Sequence, residues 1–278
     1  GGDRGNASEH YPFLERGDPM YIIVYKFGGS SVADPAGLSR AAGQLAAAAA
    51  AGYHIIAVVS AQGSTTDRLL QSASALTPHP SCRETDQLLA TGEQTSAALL
   101  AITLQEMKLS AVSLTGSQAG LHTDGNHGAA EITALHRRRI LRELEDGKIV
   151  VVAGFQGIDR CGDITTLGRG GSDTTAVALA AAFDACGCRI CTDVDGVYER
   201  DPRQFPESRR HEFISYDEML AMAENGAKVL HPRSVFLARR YRVPLSVLRT
   251  GTESPATVVG QQEHRRHSLA ADTTFLFR

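Results

Sequence analysis

Residues 154–203, GFQGIDRCGDITTLGRGGSDTTAVALAAAFDACGCRICTDVDGVYERDPR, decide how the rest of the chain is read. Their centre, Gly168-Arg169-Gly170-Gly171-Ser172-Asp173-Thr174-Thr175, is a loop of small residues running into the alanine-rich, helix-forming segment Ala176 to Phe183. Glycines let the backbone approach a ligand closely, and the unpaired N–H groups at the start of a helix point at negative charge. Ser172 and Thr174 are placed to cap that helix, while Arg169 offers a planar fork of donors for a carboxylate or phosphate, with Asp173 beside it. A plain glycine turn with an N-cap accounts for the glycines alone, but it needs neither charge. Downstream, Cys188 to Val197 predicts a buried strand, with Thr192-Asp193-Val194-Asp195-Gly196-Val197-Tyr198 at its end. Ligands of open α/β sheets sit beyond the carboxyl ends of strands, where these aspartates fall. Asp201-Pro202-Arg203 adds a rigid turn with another charge pair.

Working outward, Tyr21 to Phe27 is an apolar first strand, Gly28-Gly29-Ser30-Ser31 a turn, and the following alanine-rich segment a helix to Ala51. Tyr53 to Ser60 is a second strand, so the three make a βαβ unit and imply a parallel sheet. The arrangement suits a phosphate cradle, yet it is not a P-loop, because Lys26 precedes the glycines. A lone lysine at a strand end reads equally as a solvated side chain. Ser60 to Asp67 is a hydroxyl-rich loop that also serves as a cap for a helix from Arg68 to Ala75. Thr77 to Ser81 is a break, and Leu88 to Leu104 is helical, with Gly92 inside it. Glycine there costs about 1 kcal/mol against alanine, which calls for a packing or ligand reason. Ser110 to Thr115, Lys148 to Phe155 and Pro244 to Leu248 read as strands, with a hairpin-like stretch opening at Gln156-Gly157. Ala130 to Glu145, Ile214 to Ala223 and Ser234 to Tyr241 read as helices, the second with a Ser215/Glu218 capping box.

Composition narrows the class. The 278 residues are 42% hydrophobic and 21% charged, which suits a globular domain with a sizeable core. A net charge of −3 provides no global field for nucleic acid or an anionic membrane. No apolar run has the length of a membrane span and the N-terminus lacks a signal-peptide pattern, so the reading is cytoplasmic. Five cysteines, an odd number, read as reduced thiols, and Cys186, Cys188 and Cys191 lack the paired spacing of a zinc site. No metal ligands are assigned. His122 and His127 read as surface histidines and His136-Arg137-Arg138-Arg139 as a solvated helix face. The absence of GxGxxG after the first strand argues against a dehydrogenase.

In order and spacing, ITTLGRGGSDTTAVALA followed by TDVDGVYERDPR, together with KFGGSS, TGEQ and GAKVLHPR, resembles the catalytic domain of aspartokinases, in the amino-acid kinase superfamily. The resemblance runs from Lys26 to about Arg249. It implies an α/β fold, a three-layer αβα sandwich with a mainly parallel central sheet. The implied reaction moves the γ-phosphoryl group of ATP, with Mg²⁺, to the side-chain carboxylate of L-aspartate. That is the first step towards lysine, threonine, methionine or a specialised aspartate-derived metabolite. It implies Lys26, Asp173 and Arg169 as catalytic residues, and Ser60, Thr66, Glu93, Arg169 and Ser172 as amino-acid contacts, with Glu93 taking the substrate ammonium. The nucleotide would meet Lys26, Gly28, Gly29, Ser30, Gly170, Gly171, Thr192, Asp193, Tyr198, Asp201, Arg203 and Lys228. The family commonly carries a bulky aromatic where Ser117 sits, which predicts an altered floor on the substrate side. Competing readings are a related kinase acting on an aspartate analogue or glutamate, and a non-catalytic amino-acid or nucleotide sensor. The expected division is a polar extension (1–19), a kinase domain (20–250) and a tail (251–278) too short for one of the family's regulatory ACT domains. Any homo-oligomer would then use the kinase domain itself.

Overall fold

The computed structural model describes residues 20–227, 229–252, 254, 257–261 and 274–277. Strands β1 (Ile22–Phe27) and β2 (His54–Val59) are joined through helix α1 (Pro35–Ala50) and pair in parallel, as the apolar runs predict. Helix α1 begins where the Asp34 carboxylate accepts the Gly37 N–H at 2.7 Å, with Pro35 in the first turn. Beyond β2 the sheet continues with β6 (Ile149–Ala153) and β3 (Ala111–Leu114). On the other side of β1 lie β9 (Cys188–Thr192), β11 (Leu245–Arg249), β12 (Thr257–Gly260) and β10 (Phe213–Ser215). The eight strands run in the order β10-β12-β11-β9-β1-β2-β6-β3, and every pair is parallel except β11 with β12. Strand β12, past residue 250, therefore lies within the main sheet.

Alternate residues of the central strands face opposite layers, as the two-residue strand period requires. Ile23, Tyr25, Phe27, Ile55, Ala57 and Val59 pack with α1 and with helix α3 (Cys82–Glu106), which presents Ala97, Leu100, Ala101 and Leu104 at helical spacing. Ile22, Val24, Ile56 and Val58 pack against α4 (Arg138–Glu145), α5 (Gly171–Ala182), α6 (Tyr216–Glu224) and α7 (Pro232–Tyr241). The result is the three-layer αβα sandwich. Helix α5 is buried from Gly171 to Ala180, and its alanines let it lie close to both β1 and α7. Helix α6 carries the expected capping box, Ser215 with Glu218.

Several details depart from the sequence reading. The segment read as one helix from Ala130 to Glu145 is strand β5 (Ile132–His136) followed by the short α4. Strand β5 belongs to a second, five-stranded sheet, ordered β13 (Thr274–Leu276), β5, β4 (Leu121–Thr123), β7 (Gln156–Ile158) and β8 (Ile164–Thr166). Its β7–β8 hairpin is the one expected after Gln156-Gly157. Helix α3 starts at Cys82 under a Ser81 cap, and β9 stops at Thr192 rather than Val197. Helix α2 (Thr65–Leu76) starts earlier than expected, and Ser64 at its N-cap makes no side-chain cap bond. Nor do Ser172 and Thr174 cap α5. Its N-cap is Gly170 in the left-handed conformation, and Thr174 Oγ1 donates back to the Gly170 carbonyl at 3.1 Å.

Candidate active site

The carboxyl end of β1 meets the β2–α2 loop, helix α3 and the start of α5 around a cavity of about 300 Å³. Lys26, paired in register with Val58 of β2 and Ile190 of β9, comes up at the centre of the sheet. Its Nζ lies 2.7 Å from Oδ1 of Asp173, both side chains largely shielded from solvent. Asp173 sits in the first turn of α5, where the helix dipole favours a negative charge. The lysine is thus fixed by a carboxylate that is itself fixed by a buried helix, and its charge faces the cavity.

Glu93 approaches from α3. Gly92 beside it has a packing reason: a Cβ there would come within 2.8 Å of Ala61 Cβ, so the glycine lets the helix meet the β2–α2 loop. Across that contact Glu93 Oε1 accepts the Ala61 N–H at 3.0 Å. Oε2 is buried without a hydrogen-bond partner among the described residues, and Glu93 lines the cavity. Burial pushes its carboxyl up to about 7, against the lowering effect of the backbone donors. Such a group calls for a cationic or proton-donating partner from the cavity.

The Gly168–Asp173 loop closes the opposite side and exposes Arg169, which has no ion-pair partner among the described residues. The loop itself is tied down by residues that the sequence reading did not single out. Asp86, 1% exposed on α3, accepts from the Thr166 N–H (3.0 Å), Thr166 Oγ1 (2.6 Å) and the Gly128 N–H (3.0 Å). Its Oδ2 also lies 2.9 Å from His127 Nδ1, so His127, expected as a surface histidine, is partly buried and bonded to the loop's anchor. From α7, Arg233 donates to the Leu167 carbonyl at 2.6 Å and the Ala130 carbonyl at 2.7 Å. The His231 ring packs onto Gly170, whose φ of +72° and lack of a Cβ both permit that approach. Phe155, with φ +71°, also lines the cavity; nothing in the sequence singled it out.

Of the residues expected at the site, Lys26, Gly29, Ser60, Thr66, Glu93, Arg169, Gly170, Gly171, Ser172 and Asp173 line this one cavity. The sequence pattern of the amino acid kinase family matches residues 21–249. The chain belongs to that family. It is 51% identical over 244 residues to aspartokinase 2 of Bacillus subtilis (strain 168), an alignment covering 88% of this chain and 60% of that protein. The crystal structure of aspartate kinase from Synechocystis superposes with a TM-score of 0.79 at 43% identity, over 91% of this chain and 41% of that one. E. coli aspartokinase III, solved in complex with aspartate and ADP, superposes with a TM-score of 0.77 at 29% identity, over 87% and 65% of the two chains. This amino acid kinase therefore spans about 60% of the length of the curated relatives it matches.

The remaining nucleotide candidates among the described residues do not line the cavity. Gly28 and Ser30 lie on the turn after β1, where the Gly28 N–H donates to the Cys191 carbonyl at 3.3 Å. Thr192, Asp193, Tyr198, Asp201 and Arg203 form an outer group past the end of β9. Arg203 Nη2 lies 2.6 Å from Asp193 Oδ2, Thr192 Oγ1 donates to Asp193 Oδ1 at 3.0 Å, and Tyr198 OH donates to Asp195 Oδ1 at 2.9 Å. Burial acts to raise the Asp193 carboxyl, but the bonds from Thr192 and Arg203 outweigh it and hold the group below its ordinary range. Lys228 lies outside the described residues. Ser117 does not line this cavity; it borders a second one, together with His122. Cys188 and Cys191 are buried and Cys186 exposed, and burial pushes the Cys188 thiol up, as for a structural cysteine. No helix among the described residues is long and apolar enough to cross a membrane.

Proposed function

We propose that this chain transfers the γ-phosphoryl group of ATP to the side-chain carboxylate of L-aspartate, giving 4-phospho-L-aspartate and ADP. The observation that carries the reading is one cavity holding a buried, half-satisfied carboxylate (Glu93), an unpaired guanidinium (Arg169) and a carboxylate-held lysine (Lys26). An α-amino acid presents one ammonium and one α-carboxylate. Glu93 takes the first and Arg169 the second through its planar fork, leaving the side-chain carboxylate free to react. The family membership and the relatives named aspartokinase support aspartate as that amino acid.

An aspartate side chain ionises near ~3.9, so at neutral pH it is already a nucleophile and needs no general base. One of its oxygens bonds to the γ-phosphorus, the bond to the β–γ bridging oxygen breaks, and ADP leaves with that electron pair. No proton moves in the step. The obstacle is the meeting of two anions, so positioning and charge neutralisation carry the catalysis. Lys26 supplies positive charge to the transferring group, and Asp173 keeps its Nζ in place. In the two glycine loops the Gly28 and Gly171 N–H groups donate to the Cys191 and Gly168 carbonyls, so Gly29 and Gly170 are the ones that would offer backbone N–H groups to phosphate oxygens, and the outer group from Thr192 to Arg203 borders the nucleotide. Among the described residues no cluster of three His, Cys, Asp or Glu could cage a metal. Mg²⁺ bound with ATP would neutralise charge on the triphosphate, and Asp173 is the carboxylate beside Lys26 that would be available to hold it.

The test is ADP release from ATP against a panel of amino acids, with hydroxylamine trapping of the acyl phosphate. Aspartate-dependent turnover with a trapped hydroxamate is expected. Turnover with glutamate or another acceptor in preference would move the chain to a different substrate, and no turnover with any acceptor would make it a sensor.

A further inference from the structure

The second cavity, about 340 Å³, shares no lining residue with the first and lies at the second sheet. Arg138, Arg139 and Arg142 of α4 form its charged wall beside the imidazoles of His122 of β4 and His136 of β5, and no carboxylate among the described residues lines it. Arg139 is neutralised, its Nε 2.7 Å from Glu143 Oε1, and that same glutamate also takes Lys148 at 2.6 Å. Arg138 and Arg142, both exposed, have no hydrogen-bond or ion-pair partner among the described residues. Standing four residues apart, they repel each other on one helix face. Arg138 and Arg139 also occupy a first turn that contains no acidic residue, the end of a helix least favourable to cations. The two imidazole rings lie 4.3 Å apart between centroids, which crowds two further titratable groups into the same wall. Stability accounts for Arg139 through Glu143, and for Arg142 through its place in the last turn of α4, but not for Arg138 in the first turn or for the closeness of the two free guanidinium groups.

Ligand cavities run from about 300 to 1,000 Å³, so this one suits a small molecule at the lower end. Two free guanidinium forks match the oxygen geometry of phosphate better than that of any compact halide. Ser117 and Gln118 add hydroxyl and amide donors to the lining. We propose that this cavity is a second ligand site, separate from the catalytic pocket, which binds the phosphate group of a small anion through Arg138 and Arg142 beside His122 and His136. The phosphate is either free or carried by a nucleoside.

The experiment is a titration of the full chain at constant ionic strength with inorganic phosphate, pyrophosphate or AMP, following the imidazole resonances of His122 and His136 by NMR. No histidine among the described residues lines the catalytic cavity, so these two signals report the second one. His122→Gln and His136→Gln assign them. A saturable shift of both is expected. Tighter binding of AMP than of inorganic phosphate assigns the site to a nucleoside phosphate, and equal binding assigns it to the phosphate group alone. Replacing Arg138 and Arg142 together by alanine should weaken binding about tenfold or more, the loss of charge-assisted bonds, while leaving ADP release unchanged. The proposal is overturned if neither imidazole responds saturably to any of the three anions, or if the double variant binds as tightly as the parent.

Discussion

Two groups of charge stand at the same edge of the main sheet, past the parallel strands β1 and β9, and they are built on opposite plans. Around Lys26 the groups are held from within the fold: Asp173 by α5, Glu93 by the Ala61 amide, and the loop that carries the exposed Arg169 side chain by Asp86 and Arg233. Past β9 the charges hold one another. Asp193 and Arg203 pair with side chains 55% and 68% exposed, where ion pairs contribute about 1 kcal/mol or less. The difference teaches that chemistry demanding fixed geometry sits on the buried plan, while the outer group can rearrange at little cost around a ligand it only borders.

The largest effect expected from breaking the inner plan comes from Lys26→Ala. It removes the cation that the proposed mechanism aims at the transferring group and leaves Asp173 without its ion-pair partner in the cavity. Turnover at saturating substrates should fall about 100-fold or more, with a much smaller change in KM for ATP. Steady-state kinetics on a variant whose circular dichroism matches the parent decides it; near-normal kcat would remove Lys26 from the mechanism.

Next is Asp86→Ala, which touches no substrate. It strands the Thr166 N–H and hydroxyl and the Gly128 N–H, so unfolding should be easier by about 3 kcal/mol in denaturant titration. The Gly168–Asp173 loop should loosen with it, raising KM for aspartate. A stability within experimental error of the parent would mean that the loop is held without Asp86.

Neither Asp86 nor Arg233 was legible from the chain, and the reason is distance along it. Asp86 meets Thr166 across 80 positions and Arg233 meets Ala130 across 103, so no local spacing announces either. Lys26, Arg169 and Asp173 were legible because each sits where a strand or loop feeds a helix, and that placement is written in neighbouring glycines. The same contrast divides the two sheets. IIVYKF, HIIAVV and IVVVA are long enough to declare buried parallel strands. The strands LHT, QGI and ITT are three residues each, too short to show a period. β5 was misread because Ile132, Leu135 and Ile140 fit a helical stripe, and the pairing of β5 with β4 and β13 outweighs that local preference.

A moderate effect should follow pH through Glu93. Its carboxyl rises from 4.5 to about 7 on burial, so the folded chain holds a proton that the unfolded chain has released. Its contribution to stability is therefore full below about 4.5 and is lost as pH rises through about 7. Binding of the substrate ammonium runs the other way, because it needs the ionised form. Hence kcat/KM for aspartate should climb with pH, up to about tenfold per unit below the apparent pKa, and level off above it. Glu93→Gln should be weaker throughout and lack this limb; an unchanged profile in that variant would assign the titration elsewhere.

The smallest effect belongs to the outer plan. Arg203→Ala removes an ion pair whose two side chains are both more than half exposed, so water replaces most of what is lost. Stability should change by about 1 kcal/mol or less, and KM for ATP should rise only about threefold, with kcat at saturation unaltered. Asp193 loses one of the bonds that hold its carboxyl low, but those from the Thr192 hydroxyl and its own backbone amide remain to it, so the group stays anionic at neutral pH. A fall in kcat comparable to that of Lys26→Ala would show that this surface pair is coupled to the transferring phosphoryl group, and the division between a fixed inner site and an adaptable outer one would no longer hold.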